Sequence, residues 1–189
     1  TERLHLVPLG HDPQVVTQET ALQARQRFGI AGDFILAAGT LEPRKNIPTL
    51  IEAFLRIAPH TDAQLVLAGP TGWGLTPEAL LESVDDSVKT RITVTGEITT
   101  TELAALYTEA TVFCYPSLLE GFGLPVLEAM SYRTPVVTSK GTSTEEVAGD
   151  AAVTVNPHSA QEISETLQFL LSDTTAARQI ADSGYERSK

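Results

Sequence analysis

The sequence predicts an α/β fold: a Rossmann-like, doubly wound parallel sheet with helices on both faces. Continuous apolar runs such as Phe34–Ala38 are typical of strands buried on both faces of a parallel sheet. They alternate with segments whose apolar residues recur at helical spacing, as in residues 47–58. This alternation implies right-handed crossovers, and a chain of 189 residues is long enough for one such domain with a full core.

The predicted elements follow in order after a linker-like segment at residues 1–15, where a short apolar run ends in the turn-rich Gly10-His11-Asp12-Pro13. A short helix is predicted at residues 15–28, closed by Gly29. Strands are predicted at residues 34–38, 64–68, 91–95, 111–115, 135–138 and 152–155. Further helices are predicted at residues 47–58, 77–84, 101–108, from Pro125 onward, and at 144–148, 160–171 and 174–183.

A glycine-bearing loop between the fourth strand and the following helix carries two carboxylates, Glu120 and Glu128. Gly121 and Gly123 allow a tight bend and a close approach to a ligand, and Pro125 suits the first turn of a helix. The free N–H groups of such a loop favour an anion, whereas the carboxylates would repel it and are better suited to hydroxyls. A nucleotide sugar has both the diphosphate and the diols that this pattern requires.

A basic pair, Arg44 and Lys45, follows the first strand and Gly39 and precedes a helix. Taken alone, the pair could be solvated surface, but its position favours a phosphate role, with Arg as a planar fork of donors and Lys as a mobile charge. Residues 39–46, 69–74, 96–98 and 117–124 all follow predicted strands. These loops should therefore gather at one rim, where ligands of parallel sheets bind.

Several segments together resemble one known family. Residues 120–128 match its Glu-x7-Glu motif, and residues 39–46 (Gly-Thr-Leu-Glu-Pro-Arg-Lys-Asn) resemble its phosphate-binding turn. Residues 65–69, 94–98, 134–139 and 146–152 add matches in the family's order. The set resembles the C-terminal, donor-binding domain of retaining, GT-B-type glycosyltransferases of family 4 (group 1), which include mannosyltransferases.

This resemblance implies transfer of a sugar from a nucleotide-diphosphate sugar to a glycan or lipid acceptor, as in polysaccharide biosynthesis. Arg44 and Lys45 would stabilise the leaving diphosphate, and Glu120 would lie against the transferred sugar without acting as nucleophile. Glu128 would take the ribose hydroxyls, although the two carboxylates could share these roles differently. Residues 69–74 loosely resemble members that use GDP-mannose, with UDP-sugars as the alternative. The donor-binding residues implied are Gly39, Arg44, Lys45, Gly96, Glu120, Gly121, Phe122, Gly123, Leu124 and Glu128.

The resemblance also implies a partner domain. Residues 1–189 correspond to the donor domain alone, so the acceptor-binding N-terminal domain would be absent and the isolated chain inactive. Apart from the nucleotide sugar, we expect no cofactor and no metal, because no Asp-x-Asp occurs and the four histidines are scattered. Any contact with the inner face of a membrane is expected only through the missing domain.

Composition narrows the classes of partner and leaves rival functions to consider. Thirteen Lys and Arg against 24 Asp and Glu give a net charge of −11, which argues against nucleic-acid binding. Cys114 is the only cysteine, so no internal disulfide is possible, and a cytoplasmic location is expected.

A dehydrogenase is disfavoured because Gly39 is followed by Arg44-Lys45 instead of Gly-x-Gly-x-x-Gly. A non-catalytic nucleotide-sugar-binding module stays open.

Overall fold

Six parallel strands form one sheet in the computed structural model, which describes residues 10–189. The strands are β1 (Phe34–Ala38), β2 (Gln64–Ala68), β3 (Ile92–Val94), β4 (Val112–Tyr115), β5 (Val136–Ser139) and β6 (Val153–Val155). Their order across the sheet is β3-β2-β1-β4-β5-β6, and every neighbouring pair is parallel. The predicted doubly wound parallel sheet is confirmed.

Nine α-helices connect and flank these strands within residues 10–189. They are α1 (Gln18–Phe28), α2 (Ile47–Ile57), α3 (Pro77–Leu81), α4 (Asp86–Lys89), α5 (Thr100–Glu109), α6 (Leu124–Ser131), α7 (Ser143–Ala148), α8 (Ala160–Ser172) and α9 (Thr174–Arg187). None of the helices in this described part is long and apolar enough to cross a membrane.

Alternate strand residues enter two separate apolar clusters, one on each face of the sheet. Ile35 and Ala37 of β1 point into a cluster that contains the buried residues of α2 and α8. Phe34 and Leu36 of the same strand point into the opposite cluster, with buried residues of α5 and α6. Both faces of β1 are therefore covered, which explains why its sequence is apolar throughout.

The structure corrects several predicted boundaries. The first helix begins at Gln18 instead of residue 15, because the Thr17 side chain accepts a hydrogen bond from the Thr20 N–H and caps the helix. The helix predicted at residues 77–84 ends at Leu81, and the short helix α4, which was not predicted, follows it. Of the linker-like segment, residues 1–9 lie outside the described part, and residues 10–17 form no helix or strand.

The strand order creates a crevice between β1 and β4. After β1 the chain passes to α2 on one face of the sheet, whereas after β4 it passes to α6 on the other face. The chain thus leaves these adjacent strands toward opposite faces of the sheet, the arrangement called a topological switch point. Ligands of open α/β sheets bind at such a switch point. Residues 39–46, which follow β1, and residues 116–123, which follow β4, are therefore the expected ligand-binding loops.

Candidate functional site

The loop after β1 is held in place by Asn46, a buried residue in the left-handed conformation at φ 58°. Its side-chain amide donates to the carbonyl oxygens of Pro116 at 3.0 Å and Pro157 at 2.7 Å. Just before it, residues Pro43–Lys45 form one 3₁₀ turn. Asn46 thus ties the basic pair to the start of the loop after β4, across the crevice.

Gly39 leaves room for the Lys45 side chain. A Cβ atom at Gly39 would lie 3.3 Å from Lys45 Cε, and its φ of +126° is unfavourable for any other residue. Gly69, at the end of β2, approaches so closely that a Cβ there would lie 2.3 Å from the Gly39 carbonyl oxygen. Gly96, after β3, forms an isolated bridge with Gly69. The three glycines therefore follow one another along the rim, but only Gly39 contacts the basic pair.

Glu120 forms ion pairs with both predicted cations, Arg44 and Lys45. Its Oε1 atom accepts hydrogen bonds from Lys45 Nζ at 2.7 Å, Ser117 Oγ at 2.7 Å and the Tyr115 hydroxyl at 2.9 Å. Its Oε2 atom accepts one hydrogen bond, from Arg44 Nη1 at 2.8 Å. The structure therefore brings Arg44, Lys45 and Glu120 into a single cluster between the ends of β1 and β4.

Burial and hydrogen bonding shift the pKa values of Glu120 and Lys45 in opposite directions. Burial alone would raise the pKa of Glu120, but hydrogen bonds from Lys45, Ser117 and Tyr115 hold that pKa below its usual value. Burial lowers the pKa of Lys45, and its contact with Glu120 offsets only part of this effect. Burial and the neighbouring Glu120 carboxylate raise the pKa of Tyr115 far above its usual range. The phenol is therefore a hydrogen-bond donor to a carboxylate at neutral pH.

Arg44 is the most accessible member of the cluster. Its side chain is 39% exposed, compared with 9% for those of Lys45 and Glu120. Besides Glu120 it contacts Glu42, whose Oε2 accepts from Arg44 Nε at 2.8 Å. Burial opposes the charge of Arg44, yet its hydrogen bond to Glu42 and its attraction to Glu120 raise its pKa. Arg44 is therefore the member of the cluster that a ligand in solution reaches most easily.

The first turn of α6 begins at Leu124, next to the cluster, with Pro125 in that turn as predicted. Gly123 has a φ of +110°, and a Cβ atom there would lie 2.8 Å from Thr144 Cγ2. Ser143 donates to the Glu120 carbonyl oxygen at 2.9 Å and fixes the loop from the other side. Helix starts favour an anion, and here Pro125 has no N–H and the Val126 N–H donates to the Gly123 carbonyl oxygen at 2.9 Å, which leaves the N–H of Leu124 in the first turn. Around them, Gly121 and Leu124 are exposed and Phe122 is half-buried.

Glu128 lies apart from the Glu120 cluster, further along α6. Its Oε2 atom accepts a hydrogen bond from the hydroxyl of Tyr107, a fully buried residue of α5, at 3.0 Å. With Tyr107 and Tyr132 it lines a pocket between α5 and α6. Within residues 10–189 it makes no hydrogen bond to Arg44 or Lys45. Glu128 thus faces a pocket of its own, whereas Glu120 faces Arg44 and Lys45.

The family model described as "Glycosyl transferases group 1" matches residues 22–187 of the chain. The chain belongs to this family. Among curated relatives of the group 1 domain, O-antigen chain mannosyltransferase B of Escherichia coli is 39% identical over 81% of this chain and 41% of its own length. MMP alpha-(1->4)-mannosyltransferase of Mycolicibacterium hassiacum is 33% identical over 99% of this chain and 44% of its own length. The chain thus spans less than half of these relatives.

Solved structures agree with the doubly wound fold of this group 1 domain. The C-terminal domain of the group 1 family protein LpcC from Francisella tularensis has a TM-score of 0.76 and 27% identity, covering 91% of this chain and 92% of that domain. Anabaena HepE in complex with UDP-glucose has a TM-score of 0.80 at 20% identity, covering 92% of this chain and 48% of that one. At that identity the second likeness shows the fold alone.

Four residues of this group 1 site escaped the sequence reasoning: Tyr115, Ser117, Glu42 and Tyr107. Tyr115 and Tyr107 occur within apolar patterns that predicted core positions, and both are indeed buried. The available signal was that a buried tyrosine hydroxyl requires a hydrogen-bond partner. Each was therefore a candidate neighbour of a carboxylate.

A metal site is not evident in the described part of the group 1 domain. Among residues 10–189, no group of three or more His, Cys, Asp or Glu side chains is arranged to hold a metal ion. The carboxylate that is best placed to face a diphosphate, Glu120, already accepts hydrogen bonds from two cations. The expectation that donor binding needs no metal stays a prediction.

Proposed function

We propose that this chain is the donor-binding domain of a retaining glycosyltransferase that moves a sugar from a nucleotide-diphosphate sugar to a glycan or lipid acceptor. The observation that carries the proposal is the cluster at the switch point, where Arg44 and Lys45 meet Glu120 between the ends of β1 and β4. It puts two cations beside the start of α6, the arrangement that a departing diphosphate needs.

In this proposal different residues around the crevice bind different parts of the donor. Arg44 and Lys45 bind the diphosphate and stabilise the negative charge that grows as the sugar leaves, helped by N–H groups at the start of α6. Glu120 accepts hydrogen bonds from hydroxyls of the transferred sugar. Glu128, in its separate pocket, accepts hydrogen bonds from the ribose hydroxyls. Gly39, Gly96, Gly121, Phe122, Gly123 and Leu124 line the path between these groups.

For the identity of the donor we propose GDP-mannose, with UDP-sugars as the alternative. The first relatives carry the names of mannosyltransferases. HepE, described in complex with UDP and with UDP-glucose, shares the fold at 20% identity. A bound nucleotide sugar is described for HepE, whereas the choice of mannose depends on the relatives' names and on the loose resemblance of residues 69–74 to members that use GDP-mannose.

We propose that the acceptor, and any contact with a membrane surface in the cytoplasm, belong to a domain outside residues 1–189. Catalysis requires donor and acceptor in reacting geometry, which is worth about 7–11 kcal/mol. Residues 1–189 supply only the donor wall in this account. A radiolabelled-donor assay should detect no transfer from this chain alone and should detect transfer when an upstream domain is joined to it. Glu120-dependent transfer by residues 1–189 alone would contradict the two-domain proposal.

Calorimetric titration with GDP, UDP, ADP and NAD tests the donor-binding function itself. We expect binding of at least one nucleoside diphosphate, and no comparable binding of NAD. Arg44→Ala should weaken nucleoside diphosphate binding about 10-fold or more, because it removes a charge-assisted contact, and should hardly alter binding of the bare nucleoside. Tight NAD binding without any response to nucleoside diphosphates would favour the dehydrogenase alternative. Donor binding without transfer in the longer protein would favour a non-catalytic module.

A further inference from the structure

The two oxygens of Glu120 have unequal surroundings. Oε1 accepts three hydrogen bonds, from Lys45, Ser117 and Tyr115, all of them buried residues. Oε2 accepts only the hydrogen bond from the half-exposed Arg44. One oxygen is thus held by buried donors, and the other only by the partly exposed Arg44.

Tyr115 is held firmly at the end of β4. It is 3% exposed, and its ring stacks on Phe113 with centroids 5.7 Å apart. Its carbonyl oxygen accepts a hydrogen bond from Thr138 Oγ1 at 3.1 Å. On the crevice side, the ammonium of Lys45 lies 4.6 Å from the ring centroid and also contacts the hydroxyl. The phenol has little freedom to turn away from Glu120.

Donor binding changes the partners of Glu120 unequally. A diphosphate attracts both cations. Arg44, the more exposed of the two, is the one that contacts Oε2. Tyr115 and Ser117 are neutral, so a diphosphate does not compete for them with a carboxylate in the same way. The Tyr115 hydrogen bond to Oε1 therefore persists when the cations turn to the ligand, and Ser117 assists although its single proton also lies within reach of the Arg44 carbonyl oxygen, at 2.8 Å.

We propose that Tyr115, assisted by Ser117, is a positioning residue that holds Oε1 of Glu120 so that Oε2 faces the hydroxyls of the transferred sugar. This inference rests on the proposed function, because it assigns a role to the carboxylate within the donor site. Tyr115 acts through Glu120 and does not itself touch the donor. Its removal should therefore affect recognition of the sugar and not of the diphosphate.

The test compares each nucleoside diphosphate with its sugar conjugate on residues 1–189, using the pairs GDP with GDP-mannose and UDP with UDP-glucose in calorimetry. Tyr115→Phe removes one hydroxyl and keeps the ring. For the pair that the unaltered chain binds, the ratio of the conjugate's Kd to the diphosphate's Kd should rise about 10-fold, the effect of a lost hydrogen bond to a charged group. Affinity for the diphosphate itself should change less than about threefold, because Arg44 and Lys45, which bind the diphosphate in this proposal, are both unaltered.

Tyr107→Phe is the matched control, since it removes the hydroxyl of another buried tyrosine that donates to a carboxylate, Glu128. It should weaken both members of a pair equally and leave their ratio unchanged. Glu120→Gln should raise the ratio at least as much as Tyr115→Phe, and combining the two should add nothing further. Ser117→Ala provides a second route to the same network and should raise the ratio in the same direction.

The outcomes separate the inference from the function on which it rests. Equal weakening of both ligands by Tyr115→Phe, or an unchanged ratio when Glu120→Gln raises it, overturns the positioning role and leaves donor binding intact. A chain that binds neither the diphosphates nor their conjugates overturns the proposed function, and the inference falls with it. A selective rise of the ratio in Tyr115→Phe and Ser117→Ala supports the inference.

Discussion

Replacing Lys45 with Met tests whether the buried ion pair exists in solution before any ligand arrives. Met keeps most of the length of the side chain that passes Gly39, but it has no ammonium to reach Glu120. In the structure Lys45 Nζ lies 2.7 Å from Glu120 Oε1, and both side chains are 9% exposed. The substitution therefore leaves a buried carboxylate without its nearest cation.

The expected cost follows from what Glu120 keeps. Removing one partner of a buried pair typically costs about 3–5 kcal/mol, since the other charge is left uncompensated. Here Arg44, Tyr115 and Ser117 still donate to Glu120. We therefore expect a smaller loss, about 2–3 kcal/mol of unfolding free energy. Arg44→Ala should cost less than about 1 kcal/mol, because Arg44 is 39% exposed and its ion pairs are screened by solvent.

A double-mutant cycle in urea isolates the pair. With an m-value of about 2 kcal/mol/M, the expected loss for Lys45→Met moves the unfolding midpoint down by about 1–1.5 M. The double variant Lys45→Met/Glu120→Gln should be more stable than the sum of the single changes predicts, with a coupling of about 1–3 kcal/mol. The gain arises because neither buried charge remains.

Lys89→Met is the control for losing a lysine from an exposed pair. Lys89 Nζ lies 3.5 Å from Asp86, whose side chain is fully exposed, so the midpoint should not move. Additive effects of Lys45→Met and Glu120→Gln, within about 0.5 kcal/mol, would refute the direct pairing. The cations would then be available to a ligand without any exchange of partners.

Three further predictions concern other parts of the site. Glu128→Gln should weaken binding of ribonucleotides more than of their 2′-deoxy analogues in calorimetry; equal losses would point to a helix-start role instead. Gly123→Ala should cost about 1–3 kcal/mol in urea unfolding and weaken diphosphate binding, because the position has φ +110° and a Cβ atom would lie 2.8 Å from Thr144 Cγ2. Gly121→Ala, with no atom within 4 Å of the added Cβ, is the control for stability and should leave the urea midpoint unchanged. Because the pKa of Glu120 is lowered in the folded state, its stabilising effect is present above its unfolded pKa and is lost as pH falls through the folded value. Urea midpoints of the unaltered chain should therefore fall more steeply between about pH 5 and pH 3 than those of Glu120→Gln, and parallel slopes would contradict this assignment.

The sheet could be predicted because its strands are buried on both faces. Runs such as Phe34–Ala38 and Gln64–Ala68 are almost entirely apolar, and the structure reproduces both predicted ranges. Helix α4 could not be predicted in the same way. It has four residues, Asp86–Lys89, too few to show a helical repeat of apolar residues.

The members of the site were easier to predict than their contacts. The loop positions of Arg44, Lys45 and Glu120 marked them as ligand-binding residues. That they bind one another depends on β1 and β4 being neighbours, and the pairs are separated by 75 or more residues of chain. No local pattern specifies such a pairing, because it is produced by the strand order. The same strand order puts Tyr115 of β4 beside Lys45, which lies in the loop after β1.

The contacts within this cluster also bear on why a carboxylate lies in a site for a diphosphate. Without a ligand, Glu42 and Glu120 balance the charges of Arg44 and Lys45, so the cations are compensated inside the crevice. A simple anion that drew Arg44 away would leave Oε2 of Glu120 without a partner, at a cost in a partly buried site. A diphosphate that carries a sugar brings hydroxyls that can replace Arg44 at that oxygen. In the proposed function, Glu120 therefore favours a phosphate group attached to a sugar, because such a ligand offers an anion to Arg44 and hydroxyl donors to Oε2.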